Sequence, residues 1–194
     1  MAELPATDWL NMLRLGLVVA ALGLVVLAAV IDVRKFIIPN WLNAALLALG
    51  LVFAVASTFH AAGFNWVTHL ACFILFFAAG TLLFAAGLLG GGDVKLFSVL
   101  AFWAGPAYLA PMLVYSAAAG GVLSLVYLAK AWAEHHGLIV RKVIAVQPDL
   151  PHTDSDVTVA PLGQQSFLKT PVPYGVAIAV GGVYVFASIT GQLR

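Results

Sequence analysis

The chain has 194 residues, of which 63% are hydrophobic and only 9% are charged, with a formal net charge of +1. A soluble domain has roughly 25% charged residues, so this composition excludes a soluble globular protein and indicates one that crosses a lipid bilayer several times. The net charge is also too small, and the basic residues too scattered, for a nucleic-acid partner.

Six apolar stretches follow one another along the chain, and a helix that spans a bilayer needs about 20 such residues. We predict helices at about 10–31, 41–59, 66–89, 94–105, 108–130 and 172–190. The first is preceded by Glu3 and Asp8 instead of basic residues, which favours a retained span over a signal peptide. The predicted fold class is an all-α polytopic membrane protein with six transmembrane helices, in a single membrane-embedded domain over 1–194.

The distribution of basic residues predicts the orientation. Six spans would place seven of the nine Lys and Arg residues on one face and only Arg14 and Arg194 on the other. Because basic residues concentrate in cytoplasmic loops, we predict that the seven are cytoplasmic and that both termini lie outside, in the periplasm. The only long polar stretch, 131–171, is then a cytoplasmic loop.

The fourth stretch is unusually short. From Val94 to Ala104 a helix would be only about 17 Å long, against a hydrocarbon core of roughly 30 Å. Gly105 and Pro106 then interrupt it. We predict two helices here, the first starting from a recessed glycine-rich turn of non-helical backbone that lines a cavity.

Only two of the eight acidic residues, Asp32 and Asp93, adjoin predicted spans, and the predicted topology places both on the cytoplasmic side at similar depth. Ionisable groups at membrane depth are costly and are candidates for function. In aspartic proteases two carboxyl groups share a proton, activate a water and polarise the scissile carbonyl. We predict that Asp32 and Asp93 are catalytic and that Gly90, Gly91, Gly92 and Lys95 belong to an active-site loop, whose glycines leave it open to a peptide.

Structural roles are the alternative for each residue. Asp93 could be only a helix N-cap, and Asp32 a surface charge paired with a neighbouring basic residue. Lys95 could reach lipid headgroups or tune the carboxyl pair. Pro39 and Asn40 are predicted as supporting residues that start the second helix, with Asn40 as a cap. Helix dipoles favour an anion at an N-terminus, which suggests Asp93 as the base and Asp32 as the acid.

No other catalytic chemistry competes. The sequence has no G-x-S-x-G, H-E-x-x-H or C-x-x-C motif, and its single cysteine is Cys72. Its histidines do not have the spacing of metal ligands, so we expect no metal and no cofactor.

Two segments resemble one known family. "GGGDVKLF" resembles the G-x-G-D motif of intramembrane aspartyl proteases, and its Val94 and Lys95 are most similar to type IV prepilin peptidases. "DVRKFIIPNWLN" resembles that family's second signature, and "FWAGP" and "VPYG" resemble further segments. The motif positions are held by Asp32, Ile38, Pro39, Asn40, Gly90, Gly92 and Asp93.

The resemblance implies a bacterial inner-membrane aspartic endopeptidase that cleaves the leader from type IV prepilins after a glycine, with its active site facing the cytoplasm. The implied partners are the prepilin, the lipid bilayer and other components of pilus assembly. Long, bifunctional members carry an N-terminal insertion with two C-x-x-C pairs and also methylate the pilin. This chain resembles the short class that serves Flp-type, tight-adherence pili, so we do not expect methyltransferase activity.

Two other classes of function are the alternatives. A small proton- or ion-coupled transporter could use the two carboxylates as a relay, although a relay would place them along a path across the bilayer. A non-catalytic scaffold of a pilus or secretion machine could also keep this sequence pattern.

Overall fold

The computed structural model describes residues 6–59, 63–135 and 173–193, and every regular element in these ranges is an α-helix. The helices are α1 (Ala6–Lys35), α2 (Asn40–Thr58), α3 (Trp66–Ala85), α4 (Gly91–His135) and α5 (Tyr174–Gln192). All five contain a segment long and apolar enough to cross a membrane. The chain is therefore a multi-pass membrane protein whose described part is all-helical.

The end of α3 differs from the predicted span 66–89. Gly87 has a φ of 73°, and its N–H donates to the Phe84 carbonyl at 2.9 Å. The N–H of Leu88 donates to the Leu83 carbonyl, also at 2.9 Å. This pair of bonds is a Schellman motif, which satisfies the last carbonyls of a helix and stops it. The predicted span was too long because the left-handed glycine ends the helix first.

The predicted helices 94–105 and 108–130 form one element, α4, with a sharp break inside it. Gly105 has φ 52° and ψ −171°, which is not helical. Five helical elements therefore carry the six predicted spans, and the count of six crossings stays a prediction. At its far end α4 continues to His135, so the predicted loop 131–171 begins as helix; positions 136–171 lie outside the described residues.

The two arms of α4 run in opposite directions along α5. The first arm packs parallel to α5, because residues later in the arm contact residues later in α5. The second arm packs antiparallel to α5, because residues later in the arm contact residues earlier in α5. The contacts are Leu100 with Gly182 and Trp103 with Phe186 in the first arm, and Ser116 with Gly181 and Gly120 with Ala177 in the second. The chain thus folds back at Gly105, and the first arm and α5 start at the same end of the bundle.

Small residues on α5 allow the close packing of α4. A Cβ atom at Gly181 would overlap the Ser116 hydroxyl and lie 2.6 Å from the Met112 carbonyl oxygen. At Gly182 it would lie 2.9 Å from the Leu100 side chain. Because backbone atoms cannot move aside cheaply, glycine is required at Gly181.

We expect Gly181→Ala to destabilise the bundle by about 1–3 kcal/mol, since the methyl group overpacks the α4–α5 contact. The matched control is Gly23→Ala in α1, where a Cβ meets nothing within 4 Å and alanine favours the helix. Thermal unfolding in detergent can be followed with a thiol-reactive dye, because the buried Cys72 is the only thiol of the chain. Equal midpoints for the two variants would contradict the close contact.

Candidate active site

Four helix ends meet at one end of the bundle and bring the predicted residues together. Asp32 lies in the last turn of α1, and α2 begins close by at Asn40. Asp93 is the third residue of α4, and Gly175 is the second residue of α5. The N-termini of three helices therefore surround the end of α1.

Asp32 is buried against the first turn of α5. Its side chain is only 4% exposed, and its Oδ2 has no hydrogen-bond partner among the described residues. A Cβ at Gly175 would lie 2.7 Å from that oxygen, so only glycine permits this approach. The backbone N–H groups of Gly175 and Val176 lie close to the carboxyl group. Asp32 is therefore not a surface charge, and that structural alternative is wrong.

The same contact changes the electrostatic setting of Asp32. The end of α1 carries the negative pole of its helix dipole, which disfavours an anion, whereas the start of α5 carries a positive pole. The N-cap residue of α5, Pro173, makes no side-chain capping bond. The carboxyl group of Asp32 thus occupies the place where an anionic group stabilises the start of α5.

Asp93 lies in the first turn of α4, half-buried, and folds back onto the preceding turn. A Cβ at Gly90 would lie 2.8 Å from its Oδ2. Since α4 begins at Gly91, Asp93 is the third residue of the helix and not its N-cap, but its carboxyl group lies at the backbone N–H of Gly90 and so still stabilises the start of α4. Asp93 lies close enough to Asp32 for the charges of the two carboxyl groups to interact.

The three glycines have different surroundings. Gly90 is exposed and non-helical, whereas Gly91 and Gly92 are already helical, so the predicted non-helical turn ends at Gly90. A Cβ at Gly92 would lie 3.2 Å from the carbonyl oxygen of Ile38, but at Gly91 the nearest atom is 3.5 Å away, on Phe84. Only Gly90 and Gly92 are therefore tightly fitted. The helix starts early because its first turn must pack on the connection between α1 and α2.

That connection positions Ile38 between the two helices that flank the carboxyl groups. Phe36 adopts a left-handed φ of 52°, and its N–H donates to the Asp32 carbonyl at 2.8 Å. This conformation costs a non-glycine residue roughly 1–2 kcal/mol. After the turn Ile38 points inward and is only 5% exposed. It lies against both Gly92 and Gly175, in the space that a Cβ atom on either glycine would need. It fixes the spacing between α4 and α5 at the site.

Polar side chains of α2 hold the first turn of α4. Asn43 is 4% exposed, and its Nδ2 donates a hydrogen bond to the Gly92 carbonyl at 3.3 Å. Asn43 was not predicted from the sequence as a residue of the site. Lys95 donates to Oδ1 of Asn40 at 2.7 Å, so it ties α4 to α2. Asn40 does not cap its helix, because the N-cap position belongs to Pro39 and no side-chain capping bond forms. Both predicted supporting residues thus lie beside the site, in altered roles.

The arrangement suits acid–base chemistry on a peptide. One carboxyl group is buried and the other half-buried, beside an exposed glycine edge that an extended chain could approach. Within the described ranges, no three His, Cys, Asp or Glu side chains come together as a metal site.

Comparison with known proteins gives one match. Residues 4–125 match the model of the type IV leader peptidase family, which covers more than half of the chain and includes Asp32 and Asp93. No curated protein and no solved structure matches the chain. The helix α5, which brings Gly175 to Asp32, lies outside the matched segment.

The unequal surroundings of Gly91 and Gly92 predict unequal effects of the same substitution. We expect Gly92→Ala to be less stable than Gly91→Ala by about 1–3 kcal/mol, because its methyl group presses on the buried Ile38 backbone. The two variants are matched in position and helix. Their unfolding midpoints, measured through Cys72, provide the comparison, and a lower midpoint for Gly91→Ala would contradict the packing described for this turn.

Proposed function

Since the chain belongs to the type IV leader peptidase family, we propose that it is an aspartic endopeptidase of the bacterial inner membrane that removes the leader of a Flp-type prepilin. The observation that carries the proposal is the meeting of Asp32 and Asp93, from separate helices, at an exposed glycine edge. Neither a metal nor a cofactor takes part in the proposed reaction.

In the proposed mechanism one carboxylate removes a proton from a water molecule, which attacks the scissile carbonyl carbon. The other carboxyl group, protonated, donates a hydrogen bond to the carbonyl oxygen. As the tetrahedral intermediate collapses and the C–N bond breaks, the leaving amine receives the proton that the first carboxylate took from the water. We assign the base to Asp93, because its side chain is the more exposed of the two, and the acid to the more buried Asp32.

The position of the site at one end of the bundle supports a substrate of this kind. The apolar helix of a prepilin would lie in the bilayer beside the spans, while its leader remains in water. The scissile bond, after a leader glycine, would then reach the membrane surface beside Gly90, which carries no side chain of its own next to Asp93. Seven of the nine basic residues favour the cytoplasmic face for this end.

Asp32→Asn and Asp93→Asn should each reduce cleavage at least about 100-fold, because neither amide can exchange the proton that the reaction moves. The measurement is the size of a co-expressed cognate prepilin, with Gly23→Ala as an active control. Cleavage that survives either substitution would exclude the two-aspartate mechanism. If even the wild-type protein leaves its cognate prepilin intact, a transporter or a scaffold becomes the better explanation.

Gly175→Ala should lower kcat about 10–100-fold, with KM nearly unchanged, since the methyl group would displace the Asp32 carboxyl group and leave the peptide-binding edge intact. Gly191→Ala, on the same helix with nothing within 4 Å of its Cβ, is the matched control and should retain full activity. Steady-state kinetics on a prepilin peptide separate the two constants. An unchanged kcat in Gly175→Ala would mean that the start of α5 does not position Asp32.

A further inference from the structure

A second polar site lies at the end of the bundle opposite to the two aspartates. It is a cavity of about 550 Å³ with walls from all five helices, which is within the range of about 300–1,000 Å³ typical of small-ligand pockets. Arg14 lines it, 18 residues before Asp32 on α1 and therefore about 27 Å away along the helix axis. The cavity is thus separate from the candidate active site.

Arg14 places a permanent positive charge in this cavity. Its Nε is buried without a hydrogen-bond partner among the described residues, and its Nη1 reaches only Oδ1 of Asn11, at 3.4 Å. The guanidinium lies over the ring of Phe53, 5.4 Å from the centroid, which fixes its orientation. The only carboxylates with described side chains, Asp32 and Asp93, are at the other end of the bundle.

Two hydroxyl groups in the cavity walls also lack partners. Ser57 is only 3% exposed, and neither its Oγ nor the OH of Tyr108 has a hydrogen-bond partner within the described part of the chain. Both residues line the cavity with Arg14, and the three come from α2, α4 and α1. Buried polar groups are normally hydrogen-bonded, so three unused donors converging on one space indicate a ligand with several acceptor oxygens.

Other lining residues of the cavity are held by packing and by hydrogen bonds of their own. His69 binds the Phe102 carbonyl through Nδ1 at 2.7 Å, and its ring packs on Gly105, where a Cβ would overlap it. Trp103 uses its Nε1 for the Leu46 carbonyl, at 3.1 Å, and so offers the cavity an apolar face. The lining of the cavity therefore combines unused hydrogen-bond donors with apolar surface.

We propose that this cavity binds a phosphate group, held by the Arg14 guanidinium and by the hydroxyl groups of Ser57 and Tyr108. The guanidinium fork matches phosphate oxygens in geometry and charge, and the hydroxyls supply the remaining donors. The volume and the apolar wall exceed the needs of a free ion and fit the headgroup of an anionic phospholipid.

The depth of the cavity agrees with a headgroup. Arg14 lies five residues inside the segment Trp9–Lys35 that can span the membrane, about 8 Å along the helix. Trp9 and Trp66, both exposed, lie near the helix ends on this side, where aromatic residues commonly mark the membrane surface. Basic pockets between transmembrane helices bind anionic headgroups at the cytoplasmic face of other membrane proteins, and the same chemistry would act here at the opposite face.

The test uses the full-length protein in neutral detergent, titrated with short-chain phosphatidylglycerol, short-chain phosphatidylcholine or inorganic phosphate. Binding is read as a rise in unfolding midpoint and as bound mass in native mass spectrometry. We expect saturable binding of phosphatidylglycerol, with phosphatidylcholine much weaker because its ammonium group faces Arg14. Inorganic phosphate that reaches the same saturating shift would identify free phosphate as the ligand.

Arg14→Gln should weaken phosphatidylglycerol binding at least about 10-fold, since it removes the charged fork. Arg34→Gln, at the exposed far end of α1, is the control for net charge and should bind as the wild type does. The double variant S57A/Y108F keeps the charge and the packing but removes the two hydroxyl donors, and should also bind more weakly. Unchanged binding in Arg14→Gln, equal losses in both arginine variants, or no binding of any of the three ligands would overturn the proposal.

Discussion

The contact between Gly175 and the carboxyl group of Asp32 determines the arrangement of the rest of the site. It joins the end of the first helix to the start of the last one, so it closes the bundle between parts of the chain far apart in sequence. It also lets a carboxyl group be buried at the end of α1, because the positive pole of α5 offsets the negative pole of α1. Ile38 then fills the space beside Gly175 and sets where the first turn of α4 can pack.

The reversal at Gly105 explains why two carboxyl groups can share this end. It allows the first arm of α4 to run parallel to α5, so that both helices begin at the same level. Two helix N-termini therefore converge, with Asp93 in one first turn and Asp32 against the other. Each carboxyl group lies at the positive pole of a helix, Asp93 at that of α4 and Asp32 at that of α5. Helix dipoles therefore favour the ionised form of both groups and distinguish poorly between the base and the acid. The exposure of the two side chains is then the remaining distinction, since Asp32 is 4% exposed and Asp93 is half-buried.

The apolar stretches were enough to predict the helical membrane fold, because span length is a local property of a sequence. The rarity of acidic residues singled out Asp32 and Asp93, which the structure places at the same end of the bundle, while their catalytic role stays a prediction. The end of α3 was also encoded locally, by Gly87, but hydropathy alone does not reveal a helix stop. The contact of Gly175 with Asp32 was not predictable from either segment alone, since it depends on how two distant helix ends pack. Asn43 was missed for a similar reason: its partner, the Gly92 carbonyl, is set by packing.

The two ends of the bundle balance charge by different means. At the aspartate end, helix N-termini supply N–H groups and positive poles to the carboxyl groups. At the cavity end, Arg14 lies near the ends of α2 and α5, because Ser57 and Leu193 line the same space. The negative helix poles at the ends of α2 and α5 stabilise the guanidinium of Arg14, but each is equivalent to only about half a charge. The buried Nε of Arg14 also finds no acceptor there among the described residues. A bound anion would balance the charge of the Arg14 guanidinium and accept a hydrogen bond from its Nε, and the described part of the fold provides neither a balancing carboxylate nor an acceptor for that Nε.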